Sequence, residues 1–293
     1  MRIIPQTCPA AGIGVHRWLL SAANSCRLRG LAPADADAVL RDGAANCGRR
    51  IRRGEIEDAV AKGYSSAWTH RPARRLLPRL PKPTWPERDA TRVAAVLADG
   101  GGLADLWEAS PVRIEDNEPR TETIIDRLFP GNPLLCCGLT QSKFATQPRD
   151  AWRGELAELQ FVVPSPMSAA TGLTKDGRVS AHTLANTGPR RFLVVEFDIG
   201  TTDEHAIILL HLARYAPLVC ALHSGGRSMH AWFLVAGQPA DKVERFFRYA
   251  VMLGADRALW CRSQLCRMPD GKRDNGRRQT VYFLNFRPLE VMR

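Results

Sequence analysis

The run Arg191-Phe-Leu-Val-Val-Glu-Phe-Asp198 constrains this chain more than any other segment. Residues 192–198 read as a β-strand, so the fold has to provide a sheet to hold it. Side chains two apart on a strand share a face, which places Glu196 and Asp198 side by side at the strand's end. Two adjacent carboxylates on a rigid element suit hard divalent cations such as Mg2+ or Mn2+. About one helix later comes Ser224-Gly-Gly-Arg-Ser-Met-His230-Ala-Trp-Phe233, a Gly turn that leads into a strand carrying His230. Gly225 and Gly226 offer backbone amides that can approach phosphate oxygens closely. Ser224 adds a hydroxyl and Arg227 a cation. An acid pair, a Gly turn and a His together describe a nucleotidyl-transfer site. Taken alone, the acid pair reads equally well as a solvated strand end or as an ion pair with Arg190 or Arg191. His230 alone reads as a hydrogen-bonded core histidine.

The surrounding pattern alternates strands and helices. Residues 134–138 and 159–163 read as strands. Thr202 is placed to cap a helix over 202–214, with Asp203 and Glu204 in its first turn and Pro217 after it. Residues 218–223 and 229–236 form a hairpin around the Gly turn. Val243, Phe246, Phe247, Ala250, Val251 and Gly254 fall on one stripe of an amphipathic helix. Residues 263–268 and 279–286 read as strands, with Asp270-Gly and Asn275-Gly in the turn between them. Helices over 90–98 and 121–128 lead into this region. The class is α+β, with a split βαβ arrangement.

Proline divides the chain. Pro72, Pro78, Pro81, Pro83 and Pro86 exclude a regular helix and favour an extended, semi-rigid linker over 71–88. Before it, residues 1–70 read as a small module of three helices, over 15–29, 33–45 and from Glu55 onward. The second and third have acid-first turns that suit the helix dipole. Arg49, Arg50, Arg52 and Arg53 connect the second helix to the third. After the linker, residues 89–293 form the larger domain.

The net charge of +11 is placed unevenly. Residues 1–88 hold 16 Lys and Arg against 7 Asp and Glu, a net +9, and the remainder holds 25 against 23. A basic N-terminal third can neutralise phosphates through counterion release. An Arg-rich composition would give the same excess without that role.

The order of the two motifs resembles the catalytic core of archaeo-eukaryotic primases and primase-polymerases, closest to the primase-like proteins of plasmids, phages and integrated elements. That family carries an acid-x-acid strand end, then a Ser-x-His or Ser-Gly-Gly-x-x-x-His hairpin, then a third acid and an Arg-bearing strand. Here the last two are Leu253-Gly-Ala-Asp256 and Ser263-Gln-Leu-Cys-Arg-Met-Pro269. The resemblance covers about residue 130 to the end, and Glu196 stands where the family more often has Asp. It implies an RRM-like catalytic sheet and a metal set of Glu196, Asp198 and Asp256. Ser224, Gly225, Gly226, Arg227, His230 and Arg267 would bind the nucleotide. The alternative for Asp256 is the cap of a helix over 257–261. Arg262, Lys272, Arg273, Arg277 and Arg278 surround Arg267 and suit template or triphosphate, though each alone is an ordinary surface charge. The N-terminal module resembles, on shorter motifs, the small helical domain that accompanies such cores, usually after rather than before them.

The implied partners are a single-stranded DNA template and nucleoside triphosphates. No Walker phosphate loop occurs, so a separate replicative helicase would do any unwinding. A rolling-circle nuclease would need a His-x-His metal motif near a nucleophilic Tyr, which this chain lacks. The standing alternative is a non-catalytic DNA-binding replication protein that retains the primase fold. The eight cysteines include no Cys-x-x-Cys pair and read as free cytosolic thiols, with a structural zinc from scattered ligands as the rival. No apolar run is long enough for a membrane span and no signal peptide is visible, so the expected location is cytoplasmic.

Overall fold

The computed structural model describes residues 8, 14–45, 47, 51–52, 54–65, 84–113 and 120–290. The chain divides into two compact units, Met1–Lys82 and Pro83–Arg293. Residues 71–83 of the expected linker, and Arg49, Arg50 and Arg53 of the basic connection, lie outside the described residues.

In the first unit, α1 (Val15–Leu28), α2 (Pro33–Ala44) and α3 (Glu55–Tyr64) enclose a core of Trp18, Leu19, Ala22, Cys26, Leu40, Ile56 and Ala59. All three were expected, and the acid-first turns that marked α2 and α3 are present. Small residues let the helices close. A Cβ at Gly63 would sit 2.9 Å from the Cβ of Ala23 on α1.

The second unit begins with residues that the proline pattern had assigned to the linker. Trp85 packs edge-on against Phe247 and Trp260, with ring centroids 5.2 and 5.3 Å away. Burial of a large aromatic outweighs the extended preference of its Pro neighbours. Then come α4 (Ala90–Leu97), α5 (Leu103–Glu108) and α6 (Thr121–Leu128), of which α5 had no forecast.

Two four-stranded antiparallel sheets follow. The first has the order β2-β1-β3-β9, from β1 (Leu134–Gly138), β2 (Phe144–Pro148), β3 (Phe161–Val162) and β9 (Cys266–Arg267). The second has the order β10-β7-β8-β6, from β6 (Phe192–Phe197), β7 (Leu218–His223), β8 (Met229–Leu234) and β10 (Val281–Leu284). A small hairpin joins β4 (Gly172–Leu173) to β5 (Val179–Ser180). Helices α7 (Thr202–Ala213), α8 (Ala240–Met252) and α9 (Arg287–Glu290) complete the unit.

The split βαβ is present. β6 and β7 are joined through α7, and β8 lies between them, antiparallel to both. One face of this sheet carries Phe192 and Trp232, which meet Phe129 at 5.6 and 6.3 Å. The other face meets α8 through Phe233 and Phe246, and α7 through Phe197 and His205.

Three expectations need correction. The strands expected over 263–268 and 279–286 do not pair. β9 adds to β3 in the first sheet and β10 to β7 in the second. The strand expected over 159–163 shrinks to Phe161–Val162. Finally, Thr201 rather than Thr202 caps α7. Its hydroxyl accepts from Glu204 N at 3.2 Å while Glu204 Oε2 accepts from Thr201 N at 2.7 Å, a reciprocal capping box.

Candidate active site

The register of the second sheet builds the site. Glu196 on β6 lies directly opposite His230 on β8, which in turn faces Leu222 on β7. Cross-strand partners share a face, so the two side chains meet: His230 Nε2 lies 3.1 Å from Glu196 Oε1. Asp198 stands just past the end of β6 and is exposed. The loop beyond it is held from α7, where His205 Nε2 lies 3.1 Å from Ile199 O. A Cβ at Gly200, at φ +121°, would sit 2.8 Å from the Glu204 carboxylate. The capping box of α7 therefore also locates the acid end of β6.

The turn before β8 is bonded inward. Ser224 is buried, and its Oγ accepts from Gly226 N and Ser228 N at 3.3 Å and from Ser228 Oγ at 3.0 Å. Gly225 N donates to His223 Nδ1 at 3.3 Å. The amides expected to reach phosphate are thus engaged within the turn. Ser228 Oγ continues the chain of contacts to His230 Nε2 at 3.3 Å. Ser228 was not singled out from sequence, although its place two before His230 puts it on the same strand face. His230 is 3% exposed and its Nδ1 is buried without a partner.

The two acids are driven in opposite directions. Burial opposes the charge of Glu196 more than any other single influence. The hydrogen bond and charge of His230, with Ser228 and Arg267, nevertheless carry its carboxyl below the usual value. At Asp198, burial and then Glu196 raise the carboxyl, His230 and Arg227 pull it back, and Asp256 adds to the rise. Asp256 is brought near by its backbone, whose N–H donates to Glu196 O at 2.9 Å. Its carboxylate caps the short 3-10 turn Arg257–Trp260, accepting from Ala258 N at 2.9 Å. The cap that its sequence context allowed is formed.

Arg267 reaches the site from the other sheet. It pairs with Phe161, lies 4.7 Å over that ring, and contacts Gln160 Oε1 at 3.5 Å. Burial and then Arg273 hold its guanidinium below the ordinary value, against Glu196, Asp274 and Asp198. Of the surrounding cations, Lys272 pairs with Glu158 at 2.5 Å, and Arg278 grips buried Asp270 at 2.5 and 2.8 Å. Asp270, expected only to turn the chain, is thus a buried anchor, and it also accepts from Arg120 N at 2.7 Å. Arg262 donates to Leu184 O at 3.2 Å.

Among the described residues, no group of three or more His, Cys, Asp or Glu side chains is arranged to hold a metal ion. The acid pair still fits a hard cation by its donor chemistry. Asp198 carries the mutual repulsion of Glu196 and Asp256, which a divalent ion relieves. Mg2+ is commonly held by one or two carboxylates plus water and substrate phosphates rather than by a full protein cage. Two surface cavities lie elsewhere, one of about 310 Å3 beside His211 and Arg214 and one of about 40 Å3 beside Arg127 and Phe286, and neither is lined by a site residue. The eight cysteines form no disulfide. Among the described residues, no helix is long and apolar enough to cross a membrane. Comparison of the chain with family models, with curated proteins and with solved structures returned no match.

Proposed function

We propose that this chain is a template-directed nucleotidyltransferase that makes primers on single-stranded DNA, a primase or primase-polymerase with an RRM-like catalytic sheet. One observation carries the reading. At the end of the second sheet, the Glu196 carboxylate is bonded to His230, Asp198 stands beside it, and Arg267 from the first sheet lies within their field.

In primer synthesis a 3′-hydroxyl attacks the α-phosphate of a nucleoside triphosphate, the α–β bond breaks and pyrophosphate leaves, while charge accumulates on the transferring group. Glu196 and Asp198 would hold Mg2+ or Mn2+, which stabilises the attacking and leaving oxygens of such a displacement. Glu196 Oε1 faces His230, leaving its second oxygen for the cation. Glu196 and Ser228 both meet Nε2 of His230, and Ser228 is held in turn by Ser224, so the ring is oriented from that one nitrogen. Arg267 offers a planar fork for bidentate contact with phosphate. Arg227 is exposed on the turn, where its charge already acts on Asp198.

The test is primer synthesis on single-stranded DNA with labelled nucleotides and Mg2+ or Mn2+, comparing wild type with Asp198→Ala. Metal-dependent products from the wild type alone are expected. A folded wild type silent on both unprimed and primed templates would leave the second reading, a non-catalytic DNA-binding replication protein. The bond between Glu196 and His230, which engages a metal ligand with a nucleotide ligand, is the observation on that side. Either protein would work with a separate helicase.

A further inference from the structure

The loop between β9 and β10 carries Lys272, Arg273, Arg277 and Arg278. Lys272 and Arg278 are neutralised by Glu158 and Asp270. Arg273 is not: among the described residues its guanidinium meets no carboxylate, and its Nε is buried without a partner. It is nevertheless held in a built seat. Arg273 Nη1 donates to Ser224 O at 3.2 Å, across the Gly turn. A Cβ at Gly226 would lie 2.7 Å from that same nitrogen, and one at Gly225, at φ +71°, would lie 2.9 Å from Arg278 O. Gly225 thus leaves room for the Arg278 carbonyl and the Arg273 side chain, and Gly226 lets the Arg273 guanidinium lie close over the turn. Arg267 is another guanidinium of this neighbourhood that forms no carboxylate ion pair among the described residues; it contacts Gln160 and lies over the Phe161 ring.

We propose that Arg273, seated on Gly225-Gly226, is a second phosphate-gripping residue that with Arg267 binds the polyphosphate of a nucleoside triphosphate. This rests on the reading of the Glu196–His230 site as a nucleotide site. Two half-buried like charges oppose each other unless an anion lies between them, and burial and Arg273 both depress Arg267. Paired guanidinium forks match phosphate oxygens in geometry as well as charge.

The experiment is calorimetric titration of inorganic tripolyphosphate, and separately of ATP, into the full chain in EDTA. Arg273→Ala should weaken tripolyphosphate binding about tenfold or more, and Arg273→Lys should weaken it less, since a point charge lacks the fork. Gly226→Ala should weaken it comparably with Arg273 still present. Lys242→Ala, which removes an exposed charge on α8, should stay within about twofold. Thermal melts establish that each variant is folded. Tighter binding of ATP than of tripolyphosphate assigns the site to nucleotides. Binding unchanged in both Arg273 variants overturns the proposal, as does a loss confined to single-stranded oligonucleotide, which would make the loop a DNA contact. The two readings fail separately. Arg273-dependent tripolyphosphate binding without primer synthesis would sink only the nucleotidyl-transfer reading. Primer synthesis with binding indifferent to Arg273 would sink only this one.

Discussion

Asp198 and Glu196 stand two residues apart, yet folding treats their charges oppositely. Asp198 is raised by burial and by its acidic neighbours, so its charged form is disfavoured in the folded state. Stability from that group is present below its unfolded pKa and is lost as pH rises through the folded value. Because Asp198 is exposed and solvent screens much of this, Asp198→Asn should melt only slightly higher than wild type at pH 7, by about 1 °C or less, with the difference gone near pH 3. A lower melting point in pH-dependent calorimetry would show that the carboxylates do not oppose each other. Glu196 is depressed, so its contribution is present above its unfolded pKa and is lost as pH falls through the folded one. His230→Ala removes the partner that offsets burial and should lose about 1–3 kcal/mol in urea denaturation at pH 7. Combined with Glu196→Gln, the two losses should fall well short of additive, since both break one contact.

At the scale of the element, α7 is the hinge between fold and site. Its capping box ties Thr201 to Glu204, and the same turn holds the loop that follows Asp198. Thr201→Ala should lose about 1 kcal/mol, with Thr201→Ser retaining most of it. Thr202→Ala should change stability by less than about 0.5 kcal/mol, and a denaturation pair comparing the two settles which residue is the cap. Helices α1 and α8 were legible from a periodic apolar stripe, α2 and α3 from their acid-first turns, and strands β1, β6, β7 and β8 from short apolar runs bounded by turn residues. β2 was not, since Phe144–Pro148 is half exposed throughout and ends in proline. α5 is six residues long, too short for a periodic stripe to declare itself.

For the whole molecule, the charge and the carboxylates sit in different units. Residues 1–82 carry most of the +11, and the acid pair, His230 and Arg267 belong to residues 83–293. If the first unit meets the phosphate backbone, a chain of residues 83–293 should bind single-stranded DNA more weakly and with a shallower dependence of log K on log salt, at about 0.7 per lost phosphate contact. Titrations across a salt series read this directly, and an unchanged slope would remove the first unit from DNA contact. Each unit has its own buried cluster, so the truncated chain retains the core that carries the site.

Local chemistry was enough to place Glu196 and Asp198 at a strand end, His230 on the strand after a Gly turn, and an amphipathic helix behind them. Strand period, helix period and turn residues act over a few positions and are written where they act. Tertiary structure alone decided that Glu196 and His230 bond to each other, that Asp256 caps a turn while its backbone joins β6, and that Arg273 lies on the glycines. Each of these joins residues that pairing register or loop packing brings together across tens of positions. β9 and β10 went to different sheets for the same reason: a strand's partner is chosen by the burial available to it in the assembled core, which no local pattern records.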